Sequence, residues 1–204
     1  MTFDPAKVPG GDIAAWGAEC REKALRGVQD GDWRPIYDWT KSWIGWGGGA
    51  WLPDTWILYA VSALVQGKPR IAIHALDLGL KTWLVGTADR AALTWCRGVI
   101  VMDRLADPKT ALLDLEDSVV DVPAWVEPLA GRRLEHCRDA AAASRKRVAS
   151  VGPRPAYEGL ESAVQVVAPP VGERVDGERP EVWSAVESFF RSTPRRDQSG
   201  TVAT

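Results

Sequence analysis

The residues that most often carry chemistry are sparse in this sequence, and the first pair that could bind a metal is His74 with Asp77. Residues three apart share one face of a helix, so this pair could form one edge of a site. No second pair of a histidine and a carboxylate completes it, and we expect a buried hydrogen-bonded pair instead. In Glu135-His136-Cys137, consecutive helical residues point in different directions and do not converge on one ion. The sequence therefore predicts no metal site and no cofactor.

The three cysteines, Cys20, Cys96 and Cys137, are the candidate nucleophiles. They lie far apart without CxxC spacing, so they indicate neither a zinc ribbon nor a disulfide framework. Cys20 and Cys96 fall at helix positions that should face a packed interior, where a thiol is protonated and unreactive. Acidic residues are spread evenly, and no pair is placed for acid and base catalysis. We name no catalytic residue, and a helical enzyme with a tryptophan-lined pocket stays an alternative hypothesis.

Tryptophan is the unusual feature of the composition, with 11 residues against three tyrosines and three phenylalanines. Buried indoles could simply build an aromatic core, because each removes a large apolar area from water. Six of them lie between positions 33 and 56, however, and aromatic side chains are common anchors for peptide ligands. The candidate binding residues are Trp33, Trp39, Trp43, Trp46 and Trp51. The glycine-rich run 45–51 lacks the lysine and hydroxyl of a phosphate-binding loop, and we expect a turn there that places Trp46 and Trp51 inward.

The charges nearly balance, with 25 Lys and Arg against 27 Asp and Glu and a net charge of −2. No strong overall field therefore attracts nucleic acid or an anionic membrane. A nucleic-acid-associated regulator that uses the basic seventh helix is a second alternative hypothesis. Its candidate residues are Arg132, Arg133, Arg145, Lys146 and Arg147. The helix macrodipole also favours positive charge at a helix C-terminus, which explains residues 145–147 without a ligand.

The elements that position these residues are predicted to be helices. Helix-forming residues dominate from Asp12 to about Arg147, and clusters of glycine and proline divide them at regular intervals. Asp12 is a good N-terminal cap, and Asp30-Gly31 ends the first helix. The predicted helices cover residues 12–29, 32–46, 53–66, 70–85, 88–105, 109–120 and 125–148. The sequence therefore predicts an all-α fold.

The predicted helices form a repeat, in which Trp16, Trp56 and Trp95 are separated by steps of 40 and 39 residues. The same offsets align Cys20 with Ala60 and Val99, Gly27 with Gly67 and Ala106, and Ile36 with Leu76 and Leu115. Each unit is then a helix, a tight turn and a second helix. Stacking of such hairpins buries apolar faces that a single hairpin leaves exposed.

The second and third units carry residues that match a known motif, W-x2-L-G-x2-Y, then A-x3-F, then P. The matching residues are Trp56, Tyr59, Ala60, Ala63, Ala72 and Leu76 in one unit, and Trp95, Gly98, Val99, Met102, Ala111, Leu115 and Pro123 in the other. Residues 12 to about 148 thus resemble the tetratricopeptide repeat, whereas the first unit departs from it at Glu19, Lys23 and Asp32. The resemblance implies an α-solenoid of stacked helix hairpins, with a non-repetitive helical bundle as the alternative.

The composition changes after Gly152, where proline, glycine and charged residues become frequent. We expect an N-terminal extension (1–11), a helical repeat domain (12–150), a Pro/Gly-rich linker (151–180), an amphipathic C-terminal helix (181–192) and a disordered tail (193–204). In the C-terminal helix one apolar face needs a partner, in this chain or in a neighbour. That face is formed by Val182, Trp183, Val186, Phe189 and Phe190.

The leading hypothesis for function is a non-enzymatic protein-interaction module, which binds a peptide or a partner helix in a groove lined by aromatic residues. The N-terminus has no apolar core of a signal peptide, and no apolar stretch of the chain is long enough to span a bilayer. We therefore expect a cytoplasmic protein without a membrane partner, and we expect self-association, if it occurs, to use the C-terminal helix.

Overall fold

Helices form all the regular structure in the part of the chain that the structure, a computed structural model, describes: residues 12–82, 87–119, 127–144, 185–186 and 188–190. Seven α-helices and a short 3-10 turn (Gly49–Trp51) precede residue 145 in this part. The α-helices are α1 (Ile13–Asp30), α2 (Trp33–Trp46), α3 (Pro53–Val65), α4 (Pro69–Leu80), α5 (Thr87–Leu105), α6 (Pro108–Ser118) and α7 (Glu127–Ala143). The prediction of an all-α fold is confirmed.

Most helices begin at a side-chain cap or at a proline. The Asp12 carboxylate accepts hydrogen bonds from the backbone N–H groups of the second and third residues of α1, at 2.9 and 3.0 Å. The Asp32 and Asp107 carboxylates cap α2 and α6 in the same way. Helices α3, α4 and α6 start with proline, which suits the first helical position because no partner exists there for an N–H. The main differences from the predicted bounds are the ends of α4 and α7, which lie at Leu80 and Ala143 rather than at residues 85 and 148.

Three turns of one backbone type join α1 to α2, α3 to α4 and α5 to α6. Gly31, Gly67 and Ala106 occupy these turns with left-handed φ angles of 68°, 72° and 51°. Glycine adopts this conformation at no steric cost, whereas the Cβ of Ala106 makes it strained. Each turn residue is followed by the N-terminal cap of the next helix. The hairpins therefore repeat at spacings of 36 and 39 residues.

These turns correct the alignment predicted for the first unit. The tryptophan spacing aligned Gly27 with Gly67 and Ala106, but Gly27 lies inside α1, and Gly31, the predicted end of that helix, forms the turn four residues later. Gly27 serves a close contact between helices instead, because a Cβ there would lie 2.7 Å from Cγ1 of Ile36. The first unit is thus shifted by about one helical turn relative to the predicted alignment.

The shift changes which residue of α1 corresponds to the tryptophans of α3 and α5. Counted back from the turns, Cys20 rather than Trp16 matches Trp56 and Trp95. Burial agrees with this register, since Cys20 and Trp56 are fully buried, Trp95 is 1% exposed, and Trp16 is only half-buried. The predicted equivalence of Trp16 with Trp56 and Trp95 is therefore wrong in the folded chain.

The hairpins α1–α2, α3–α4 and α5–α6 stack in sequence order and are followed by α7. Each helix packs on its neighbours in the chain, while α5 also contacts α3 on one side and α7 on the other. The largest fully buried side chains belong to Trp56, Trp95, Tyr59, Ile36, Ile44, Ile57, Leu58, Leu76, Leu93, Ile100 and Leu115. This packing fits both arrangements expected from the sequence, a solenoid and a helical bundle.

Several predicted regions lie outside the described residues. They are the extension 1–11, the linker 151–180, the tail 193–204 and more than half of the predicted C-terminal helix 181–192. Among the helices that the structure does describe, none combines the length and the apolar character that a bilayer crossing requires.

Candidate functional site

A short helical segment near the C-terminus packs against the stacked hairpins. We call Ala185, Val186, Ser188, Phe189 and Phe190 the C-terminal segment. Val186 is fully buried, Phe190 is 5% exposed and Phe189 is half-buried, whereas Ser188 is exposed. Positions i, i+3 and i+4 share one helix face, so Val186, Phe189 and Phe190 of the expected apolar face are covered, while Val182 and Trp183 lie outside the described residues. The covering partner belongs to the same chain.

Two indoles on different helices receive the two phenylalanine rings. Phe190 meets Trp95 of α5 edge to face, with ring centroids 5.4 Å apart and an interplanar angle of 81°. Phe189 meets Trp33, the first residue of α2, with centroids 5.7 Å apart at 54°. Tilted and edge-to-face pairs at these distances are the favourable arrangements of aromatic rings. The segment therefore bridges from the first hairpin to the third.

A buried ion pair lies at the end of the segment. Arg133 of α7 contacts both carboxylate oxygens of Asp103 on α5, at 2.9 and 2.7 Å, and its side chain is only 9% exposed. Its second terminal nitrogen, Nη2, donates to the backbone carbonyl of Phe190 at 3.1 Å. Asp103 thus neutralises and orients a guanidinium that binds the backbone of the segment. We call Trp33, Trp95, Asp103 and Arg133 the docking face.

The tryptophans named from the sequence separate into three environments. Trp33 is half-buried and belongs to the docking face, as described above. Trp43 and Trp51 are 3% and 7% exposed, so their assignment as surface binding residues is wrong. The cause is the 3-10 turn, which contains Trp51 and folds Gly49 onto the ring of Trp43. The expected turn in the glycine-rich run is present, with Trp51 inside and Trp46 half-buried.

Trp39 lies in a different cluster, between α1 and α2. Its ring centroid is 6.2 Å from that of Trp16, and the ammonium of Lys23 lies 4.2 Å from its ring centroid. Lys23 also pairs with Glu19 one turn earlier in α1. Both indoles are half-buried, and a cation over an indole face adds a modest electrostatic attraction. These contacts hold α1 against α2 and do not involve the C-terminal segment.

The basic residues named for nucleic acid are not gathered on a described surface. Arg133 is buried in its pair with Asp103, which contradicts its assignment as a phosphate ligand. The neighbouring Arg138 is exposed but paired with Glu116 of α6, at 3.1 Å. The side chain of Arg132 and residues 145–147, which include Arg145, Lys146 and Arg147, lie outside the described residues.

The cysteines are interior residues, as predicted for Cys20 and Cys96. Cys20, Cys96 and Cys137 are free thiols with at most 1% of their surface exposed. Burial raises the pKa of Cys20 and of Cys137 to about 11 and raises the pKa of Cys96 further. At neutral pH these groups are therefore protonated, and the nucleophilic thiolate is scarce.

His74 and Asp77 do not form one edge of a metal site in the described fold. His74 is buried, and Asp77 binds Arg97 at 2.6 Å. Arg97 also forms a two-point contact with Asp114, at 2.8 and 2.6 Å, and hydrogen bonding to Asp114 is the main cause that raises the pKa of Arg97. Within the described residues, no three His, Cys, Asp or Glu side chains are grouped to hold a metal ion.

Sequence reasoning missed both arginine clusters, and only the cluster of Arg97 left a signal in the local sequence. Arg97 is the single charged residue in the run 91–102 of α5, and a lone charge in an apolar helix needs a partner. Arg133 follows another arginine in the predicted seventh helix, one face of which was expected to be exposed to solvent. Nothing in the local sequence therefore marked Arg133 as buried. The amphipathic C-terminal helix was the clearer signal, because its apolar face required a complementary surface.

The docking face has a definite chemistry. Two indoles offer aromatic surfaces to apolar side chains, and a neutralised arginine offers an N–H group to a helix carbonyl. These groups suit the binding of a helix and include no reactive thiol. Comparison of the chain with protein-family models, with curated proteins and with solved structures finds no match.

Proposed function

We propose that this chain is a protein-interaction module of stacked helix hairpins, which binds an amphipathic helix of a partner protein on the docking face. The observation that carries the proposal is the C-terminal segment, an amphipathic helix seated on that face. A surface that receives one such helix has the chemistry to receive another with similar side chains. The proposed binding residues are Trp33, Trp95 and Arg133, and only Trp33 was among the tryptophans named from the sequence.

The residue types of the docking face support this proposal. Tryptophan and arginine are enriched among the residues that dominate binding energies at protein interfaces. The Asp103 carboxylate orients the Arg133 guanidinium before a helix arrives, which lowers the ordering cost of binding. A flat apolar surface would hold many helices equally well, whereas this fixed hydrogen-bond donor selects a backbone position.

We propose also that the stacked hairpins are similar to tetratricopeptide repeats. It is supported by three hairpins with equivalent turns and by the equivalent buried positions of Trp56 and Trp95. Ala72 and Ala111, five residues after their turns, are also fully buried, as the small position of the motif requires. Arrays of this kind present extended surfaces for peptides and helices.

The energetics of the docked segment favour a reversible contact. Burial of a Val or Phe side chain contributes about 1.5–3 kcal/mol, and the segment buries Val186 and Phe190 and part of Phe189. Ordering each backbone residue costs about 1–2 kcal/mol. For a helix of one to two turns, the free energy gained by burial and the cost of ordering the backbone are of similar size. A competing helix therefore needs only a slightly more favourable binding free energy to displace the segment from the docking face.

A binding measurement in trans tests the proposed function. The full chain with Phe189→Ala and Phe190→Ala should release its own segment and expose the docking face, since both ring contacts are removed. We expect a fluorescent peptide of residues 179–192 to bind this variant saturably, with a Kd on the order of micromolar, in an anisotropy titration.

Matched substitutions show where the peptide binds. Adding Trp33→Ala should weaken binding by about tenfold, because an aromatic pair and apolar area are lost. Adding Trp39→Ala, another half-buried indole of α2, should leave binding unchanged, because Trp39 contacts Trp16 and Lys23 instead. No saturable binding, or equal losses from both substitutions, would rule out the docking face as the binding surface.

A further inference from the structure

We infer that the docking face selects a partner helix with an aliphatic residue followed three and four positions later by two adjacent aromatic residues. We infer also that the C-terminal segment competes with that helix from within the same chain. Both statements rest on the proposed function, and they define its ligand and its regulation.

The adjacent aromatic pair is required by the positions of the two indoles. Consecutive residues of a helix point about 100° apart, so their side chains reach different places. Phe189 reaches Trp33 on α2, and Phe190 reaches Trp95 on α5. The two rings also pack on each other, with centroids 5.4 Å apart at 77°. A helix with one aromatic residue would leave one indole without its ring contact.

Arg133 favours a partner helix that ends near its aromatic pair. The last four carbonyl groups of a helix have no partner within the helix, and other donors satisfy them. The Nη2 of Arg133 donates to the carbonyl of Phe190, the second aromatic residue of the pair. A partner helix that ended within about one turn of its aromatic pair would offer such a carbonyl. A long helix that continued past the pair would share this carbonyl between its internal hydrogen bond and Arg133.

The competition follows from occupancy and chain length. Val186 and Phe190 are buried on the stacked hairpins, so a second helix can use the same contacts only after the segment leaves. In the sequence, 40 positions separate Ser144, the last described residue of the α7 region, from Ala185, the first residue of the segment. A tethered competitor acts at an effective concentration of up to about millimolar.

The test compares peptide binding by the wild-type full chain and by the full chain with Phe189→Ala and Phe190→Ala. The probe is again the peptide of residues 179–192. We expect at least about tenfold weaker apparent binding by the wild-type chain, since its own segment competes at high effective concentration. Equal affinity of both chains would overturn the competition while leaving the proposed function intact. No binding by either chain would overturn the competition and the proposed function together.

Variant peptides test the selected pattern. Moving the aromatic pair by two positions, at constant composition, should weaken binding to the released chain by about tenfold or more, because the rings no longer reach both indoles. A Ser188→Ala peptide is the matched control and should bind as the parent does, since this side chain is exposed. Equal binding of the shifted and parent peptides would overturn the selectivity.

A measurement on the wild-type chain covers the case in which the double variant fails to fold. Saturating peptide should speed hydrogen exchange at the amides of Phe189 and Phe190, because the segment is displaced. Unchanged exchange at full occupancy would overturn the competition.

The oligomeric state shows whether the segment docks on its own chain. Light scattering of the wild-type chain should give the mass of a monomer. A dimer that is lost in the Phe189→Ala variant would instead assign the segment to a second copy of the chain.

Discussion

The first hairpin and the second hairpin have the same turn but use tryptophan differently. In the second, Trp56 is fully buried, and its indole N–H donates to the carbonyl of Ala50 at 2.9 Å. In the first, the equivalent position holds the buried Cys20, and Trp16 lies one turn earlier, half-buried against Trp39. The nearly equal spacing of Trp16 and Trp56 with Trp95 in the sequence therefore does not mean that these tryptophans share one environment, since Trp56 is buried and Trp16 is half-buried.

The difference shows that the turn, and not the most conspicuous side chain, sets the register of a helical repeat. A left-handed residue followed by a helix cap fixes where each second helix starts, as at Gly31 and Gly67. The side chains then pack by their distance from that turn. Three substitution pairs measure this contrast, in order of decreasing effect.

The largest contrast should appear between Trp56→Ala and Trp16→Ala. Removing the fully buried Trp56 leaves a cavity and should cost about 3–5 kcal/mol of unfolding free energy. Removing the half-buried Trp16 should cost about 1 kcal/mol or less, since its site stays open to water. Chemical denaturation followed by circular dichroism measures both. Equal losses would restore Trp16 as the structural equivalent of Trp56.

A smaller contrast is expected for two helical glycines. A Cβ at Gly79 of α4 would lie 2.9 Å from Cγ of the Trp56 ring, so Gly79→Ala should destabilise the fold by about 1–3 kcal/mol. Gly45 of α2 has no atom within 4 Å of such a Cβ, and Gly45→Ala should stabilise by about 0.5–1 kcal/mol. Thermal unfolding of the two variants should therefore shift in opposite directions.

The smallest contrast concerns the turns. Ala106→Gly should raise the unfolding free energy by about 1 kcal/mol, because glycine removes the strain of a φ of 51°. Gly67→Ala should lower it by a similar amount, since that glycine has a φ of 72°. Urea titrations at one temperature suffice for the comparison. Two effects of the same sign would contradict the equivalence of these turns.

Most of the fold could be predicted from the sequence because its signals are local. Asp12, Asp30-Gly31 and Pro53 mark helix ends through caps and prolines, and the observed bounds follow them. The alignment of the first hairpin with the other two could not be predicted, since the tryptophan spacing pairs Gly27, and not Gly31, with Gly67 and Ala106. The role of Gly27 depends on its close contact with Ile36, and that contact spans two helices.

Of the candidate site, the sequence could predict the helix that docks but not the surface that receives it. The amphipathic spacing of Val186, Phe189 and Phe190 indicated a helix in need of a partner, and this spacing is a local property. The surface that receives it combines residues from α2, α5 and α7, so no local pattern could assemble it. Trp43 and Trp51 were chosen for their type, yet the glycine-rich turn between them decided their burial.

The Arg97 cluster has a consequence for how the array comes apart. Its guanidinium joins Asp77 of α4 and Asp114 of α6 through α5, and all three side chains are at most a quarter exposed. Parting α4 from α5 would break the ion pair with Asp77, and parting α5 from α6 would break the two-point contact with Asp114, so one side chain ties both helix contacts together. Stacked repeats can in principle open one at a time from an end. Here the second and third hairpins are expected to open together as one cooperative unit.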